Sequence, residues 1–336
     1  MILTFLKVLA AIALLVFIAW GGAAIWFDGP VSRLVAGILS GAFVVVSAGI
    51  LVAVRPFGRA LAVAAVLCIS VLIWWRSIEP SNDRDWQPDV RRLPRAQIQG
   101  DRITLENVRD FDYRSDSDFT ERWETRSFDL NELVGADMFL SYWGSPYIAH
   151  TIVSWEFSDG RYLTISIETR KEVGESYSAF RGFFRQYELY YVVTDERDVV
   201  RVRTDFRGED VYLYRLATPP DQAREILLDY LTSINRLAER PEWYNALVEN
   251  CTTTIRYHTK NIAPGNPFDW RIIVNGYIDR LGYERGTINT ELPFEELRRK
   301  SDITEAAKQA GGAPDFSARI REHIPSRPKR VRVPGS

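Results

Sequence analysis

Cys251 stands in the run Asn250-Cys-Thr-Thr-Thr and is one of only two cysteines in the 336-residue chain; the other, Cys68, lies inside an uncharged apolar stretch. A thiol becomes a nucleophile as the thiolate, which a helix start and a neighbouring imidazole both favour. Three histidines are available to supply that imidazole. His323 sits in a polar tail, and His258 follows Cys251 by two helical turns, out of reach along one helix. His150 remains. It opens an alternating run, His150 to Phe157, followed by Ser158-Asp-Gly160 and a second alternating run, Arg161 to Glu168. A three-residue loop with Gly160 in the left-handed region pairs Phe157 with Arg161 and Val153 with Ile165. One face of that hairpin is then apolar, with Val153, Trp155, Leu163, Ile165 and Ile167, whereas a two-residue loop sets apolar against polar positions. The chosen register places His150 opposite Glu168, with Cβ atoms roughly 5 Å apart. Cys251, His150 and Glu168 are therefore the candidate nucleophile, base and orienting carboxylate. The competing readings are an inert buried cysteine and a solvated strand acid.

The elements that must position these residues read as an α+β domain. Short alternating stretches from Arg102 to Leu140 predict strands. Tyr187 to Val193 and Val199 to Thr204 predict a strand pair around Asp195-Glu-Arg-Asp198, and Val211 to Leu216 one more strand. Pro219-Pro220-Asp221 opens an amphipathic helix with Ile226, Leu227, Tyr230, Leu231, Ile234 and Leu237 inside. A helix beginning near Cys251 carries the thiol. Asn250 fits a turn or cap as well as a catalytic role. The Pro- and Arg-rich stretch 77–100 reads as a linker, 101–290 as the folded domain, and 291–336 as a polar helical or disordered tail ending in the basic run Arg327-Pro-Lys-Arg-Val-Arg332.

Residues 1–76 are a different material. Val8 to Phe27, Leu34 to Val54 and Ala60 to Trp75 are three uncharged runs, each near the roughly 20 residues needed to cross a bilayer. The connector Arg55-Pro-Phe-Gly-Arg59 is basic and Asp28-Gly-Pro-Val-Ser-Arg33 nearly neutral. Basic loops stay in the cytoplasm, so the N-terminus is inside and everything after Arg76 outside, on the periplasmic side of a bacterial inner membrane. With 42 basic and 44 acidic residues overall, the chain lacks the basic face that nucleic-acid binding needs. It has no phosphate-binding glycine loop, no dinucleotide fingerprint, no Gly-x-Ser-x-Gly elbow and no zinc-ligand spacing, and thiol chemistry calls for no cofactor.

Four segments carry a resemblance: Tyr142-Trp-Gly-Ser-Pro-Tyr-Ile-Ala-His150-Thr, Ser166-Ile-Glu-Thr-Arg170-Lys-Glu, Phe184-Arg-Gln-Tyr187 and Asn250-Cys-Thr-Thr. Together, over roughly residues 105–285, they resemble the periplasmic domain of Lnb-type lipoprotein N-acyltransferases. The order of His150 before Cys251 is similar to that of circularly permuted papain-like thiol enzymes. The resemblance implies a permuted papain-like fold and transfer of an acyl chain from a membrane phospholipid, through a Cys251 thioester, to the amine of a lipoprotein. In that family membrane helices follow the domain, whereas here they precede it. Tyr142, Trp143 and Tyr147 are candidates to line an acyl groove, though aromatics more often fill cores. Arg170 is placed to pair with Glu168 or to meet a lipid phosphate. The alternative is a hydrolase using the same residues on peptidoglycan or other amides.

Overall fold

The computed structural model describes residues 1–29, 32–247, 251–259 and 269–328. They form two units. The first holds Met1–Ser81 with the segments Ser176–Glu188 and Trp243–Ala246. Its helices α1 (Ile2–Asp28), α2 (Arg33–Ala53) and α3 (Phe57–Arg76) match the three apolar runs and are long and apolar enough to cross a membrane. Small residues sit where they meet. Ala24, Ala36, Ala60 and Ala64 are buried, and Ser40 donates to Gly22 O at 2.7 Å. Such side chains let apolar helices approach closely where lipid offers no hydrophobic drive to pack them.

The second unit, Asn82–Glu175, Leu189–Glu242 and Leu247–Ser336, is built on a mixed sheet. Its strands are β1 (Arg95–Gln99), β2 (Arg102–Arg109), β5 (Trp123–Asp129), β6 (Leu133–Tyr142), β7 (Ala149–Phe157), β8 (Tyr162–Arg170), β9 (Glu188–Thr194) and β10 (Asp210–Arg215). The short β3 (Asp112–Tyr113) and β4 (Phe119–Thr120) pair apart from it. The order is β1-β2-β9-β8-β7-β6-β10, with β5 also on β2. Between β7 and β8 the pairs Ile152↔Ser166, Val153↔Ile165 and Trp155↔Leu163 follow the register that the apolar pattern selects. The loop closes through Phe157 N–H to Arg161 O, with Gly160 at φ 82°.

Helices cover both faces of the sheet. On one, Trp155 packs edge-on against Tyr230 of α5 (Pro220–Glu239) and donates from its indole to Ala223 O. The six apolar residues expected inside α5 are all buried. On the other face, Phe139, Ile152 and Leu213 pack with Val199 and Val200 of α4 (Glu196–Arg201). This corrects the expected strand over Val199 to Thr204. Asp195 caps the segment by accepting from Asp198 N–H, so a helix start overrides the strand preference of the valines. A single π-helical stretch, Val202–Arg207, continues α4 and ends at Gly208, φ 64°.

Two further expectations are corrected. The stretch 77–100 is not a free linker. Trp86 and Val90 are buried, and β1 lies at the sheet edge. After α7 (Ile278–Glu284), the tail is helical, as one of its two readings had it, but it is no free polar tail: α8 (Phe294–Ser301), α9 (Thr304–Ala310) and α10 (Phe316–Arg319) bring Ile303, Ala307, Phe316 and Ile320 into the core. Its charges find partners inside. Arg321 bridges the fully buried Asp137 and Glu196 at 2.8 and 2.6 Å, and Arg327 reaches Asp137 and Glu156. Averaged polarity hid this because the charged residues are paired. The end of the basic run, 329–336, lies outside the described residues.

Candidate active site

The β7–β8 hairpin fixes the first half of the site. His150 Nε2 lies 3.1 Å from Glu168 Oε1 and 2.7 Å from Ser166 Oγ. Ser166 donates to that same Oε1 at 2.6 Å, and Arg203 Nη2 donates to it at 2.7 Å. Three donors converging on one oxygen favour the ionised carboxylate. Burial pushes the Glu168 carboxyl upward, but His150 and Arg203 outweigh this and hold it well below the ordinary glutamate range.

Cys251 supplies the other half. It is the first described residue of α6 (Cys251–Thr259). The thiol is buried, and His150 is its hydrogen-bonding partner. The Thr151 backbone N–H also points to the sulfur, Asn275 Nδ2 lies 3.7 Å from it and Thr252 Oγ1 3.8 Å. Burial pushes the thiol upward, yet His150, the Thr151 N–H and Thr252 bring it net below the usual cysteine range. For His150, burial works against the charged form. The Glu168 carboxylate and Cys251 overcome that and raise the imidazole to about 9. Both shifts run toward the thiolate–imidazolium form, the state from which a thiol attacks a carbonyl.

Two contributors were missed in the sequence. Arg203 sits in the π-helical stretch, buried, with Nη1 on Val199 O at 2.8 Å and Nε 3.7 Å from Glu209. It lay within the run taken for a strand. A π-helical turn is often found at functional sites, but no residue pattern announces one. Asn275 accepts from Ala149 N–H at 2.9 Å and donates to Thr252 Oγ1 at 2.7 Å, joining the start of β7 to the helix that carries the thiol. Nothing in its neighbourhood of the sequence distinguishes it.

The other candidates separate. Arg170 is buried, donating to Val90 O, Arg91 O and Asn82 Oδ1 and stacking 4.2 Å from the Trp86 ring. It clamps the stretch before β1, and Arg203 takes the place beside Glu168 expected of it. Tyr142 is buried too, its hydroxyl on Gly276 O at 2.8 Å, so it holds the turn next to Asn275 instead of lining a groove. Trp143 and Tyr147 are 42% and 56% exposed, in the segment leading to His150. Asn250 lies outside the described residues. Among those described, no cluster of His, Cys, Asp and Glu could hold a metal ion.

Residues 119–276 match a family model described as the Lnb N-terminal periplasmic domain. No curated protein and no solved structure matches the chain. The matched stretch contains His150, Glu168, Arg203, Cys251 and Asn275, and the chain therefore carries an Lnb-type domain.

Proposed function

We propose that the protein is a membrane-anchored thiol acyltransferase, held by α1–α3 in the bacterial inner membrane with its Lnb-type domain in the periplasm. The observation that carries this reading is the hydrogen-bonded Cys251–His150 pair backed by Glu168 and Arg203. The Cys251 thiolate attacks an ester carbonyl of a phospholipid. A C–S bond forms, the ester C–O bond breaks, and the imidazolium of His150 gives its proton to the departing alkoxide. A lipoprotein amine, or another amine, then attacks the thioester. A C–N bond forms, the C–S bond breaks, His150 takes the amine proton, and the thiolate returns. Glu168 keeps the ring oriented and stabilises its charged form throughout. Asn275 Nδ2 and the Thr151 N–H, both beside the sulfur, are positioned to donate to the carbonyl oxygen as charge builds on it. An anchor that holds the site near lipid raises the effective concentration of a lipid donor.

The test is intact mass of the full-length detergent-purified protein after exposure to a short-chain phospholipid. The expected result is a single acyl adduct, mapped to Cys251, absent in Cys251→Ser and formed far more slowly in His150→Ala. Its loss on adding an amine, with acylated amine as product, supports transfer. Free fatty acid as the only product would make the protein a hydrolase. No adduct in the wild-type chain contradicts the reading.

A further inference from the structure

The segment Ser176–Glu188, between β8 and the remainder of β9, belongs to the same unit as the apolar helices. Its attachment is specific. Gln186 Nε2 donates to Phe27 O at 2.9 Å and to Asp28 Oδ1 at 2.7 Å, and the Arg185 backbone N–H reaches Asp28 Oδ2 at 3.3 Å. Phe27 and Asp28 are the last two residues of α1. The Trp75 indole, near the end of α3, donates to Asp28 as well, at 2.7 Å. The Arg185 guanidinium lies over Trp75, 4.5 Å from its ring centroid. On the apolar side the Phe27 ring stacks on Phe184 at 5.0 Å and meets Phe180 edge-on at 5.7 Å. Phe180 nevertheless remains 58% exposed, and Tyr177 in the same segment 44%.

A spanning helix fixes depth. If α1 crosses the bilayer, its last turn lies at the boundary between hydrocarbon and headgroups, and whatever bonds to Phe27 O and Asp28 lies there too. Indoles with one polar edge and a snorkelling arginine are the side chains that settle at this boundary. A large ring left exposed at that depth faces acyl chains and not water.

We infer that Ser176–Glu188 is a second membrane attachment, an interfacial loop that seats Phe180 among the acyl chains of the leaflet at the Asp28 end of α1. The occupant of this surface is phospholipid. The apolar ring packs on Phe27 in the last turn of α1, and the neighbouring Asp28 carboxylate is already occupied by Trp75, Gln186 and Arg185. The inference needs the helices to span but does not need the acyl-transfer chemistry. The loop follows β8, the strand that carries Glu168, so the chain would enter the membrane interface a second time after α1–α3.

The test uses the full chain with Cys68→Ser and Cys251→Ser, reconstituted one copy per nanodisc of phosphatidylethanolamine and phosphatidylglycerol. A single cysteine carrying an environment-sensitive fluorophore is placed at Phe180, at Val45 on the exposed side of α2, or at the exposed Ser117. The expected result is blue-shifted emission for Phe180→Cys, quenched at least twofold by lipids nitroxide-labelled high on the acyl chain. Val45→Cys should be quenched by deep labels and Ser117→Cys by neither. Water-like, unquenched emission at Phe180 with quenching intact at Val45 overturns the inference. Blue-shifted but unquenched emission there also overturns it, since protein would then cover the ring. Loss of quenching at Val45 refutes the spanning helices themselves, a failure distinct from that of the loop.

Discussion

His150 and His258 lie in the same domain, each with a ring nitrogen within 3.1 Å of a carboxylate oxygen: Glu168 at 3.1 Å for one, Asp229 at 2.6 Å for the other. Their protonation goes opposite ways. Burial lowers His258, and the Asp229 hydrogen bond and charge do not recover the loss. Its ring is stacked 4.1 Å from Tyr230, its Nε2 meets the neutral Tyr191 hydroxyl at 2.8 Å, and the Asp229 side chain is 43% exposed, so water screens its charge. His150 also suffers burial but faces two anions, a carboxylate pinned by three donors and the Cys251 sulfur. The contrast shows that a histidine–carboxylate pair alone does not make a base for catalysis. The second anion, and the clamp that keeps the first one charged, decide it.

Removing the thiol should have the largest effect. Cys251→Ala abolishes adduct formation, seen by intact mass, while His150→Ala slows it by about 10²- to 10⁴-fold, the usual worth of a positioned general base. His258→Phe should leave adduct formation within about twofold of wild type, so the two histidines separate cleanly. Equal loss in both variants would erase the distinction.

Arg203→Gln comes next. It removes one of the three donors on Glu168 and leaves that carboxylate partly buried with less compensation. The Glu168 carboxyl then moves up toward its ordinary range, and the His150 ring that it orients is held less firmly. The expected loss is roughly tenfold in acylation rate, about 1.4 kcal/mol of barrier, with the rising limb of the pH profile moved to higher pH because the Glu168 carboxyl now ionises later. Arg203→Lys, which keeps the charge, should restore part of both. A uniform loss with an unmoved profile would mean that Arg203 only supports the fold.

His258→Phe should register in stability instead. Losing a buried hydrogen bond to Tyr191 and a half-buried one to Asp229 costs about 1–3 kcal/mol, measurable as a lower denaturant midpoint. The smallest effect is expected at Trp143→Ala, within about twofold for short-chain donors, with any deficit confined to long chains, since each methylene removed from water is worth about 0.8 kcal/mol.

Much of this site was readable in the residues themselves. The β7–β8 register followed from two alternating runs and one Asp-Gly turn, because a slip of one residue would have exposed an entire apolar face. That register alone brought His150 to Glu168. Elimination among three histidines then led to Cys251. Arg203 and Asn275 were not legible, since their roles arise from long-range packing: a π-helical turn delivers one and the single 3₁₀ turn Asn275–Tyr277 the other. Arg170 shows the reverse error, an arginine two residues from Glu168 on the same strand that is spent on backbone carbonyls instead. The stretch before β1 and the C-terminal helices were misread for one reason. Paired charges look like solvated ones until their partners are known.

The most direct test of the thiolate–imidazolium pair is the pH dependence of Cys251 alkylation by iodoacetamide, followed by mass in a Cys68→Ser background. The thiolate fraction grows as pH climbs through the lowered Cys251 value, and the imidazolium persists until about 9. The rate should therefore rise and level off below the ordinary cysteine range of roughly 8.5, with that early rise lost in His150→Ala and kept in His258→Phe. A wild-type profile that climbs only near the ordinary thiol range, unchanged by His150→Ala, would contradict the account.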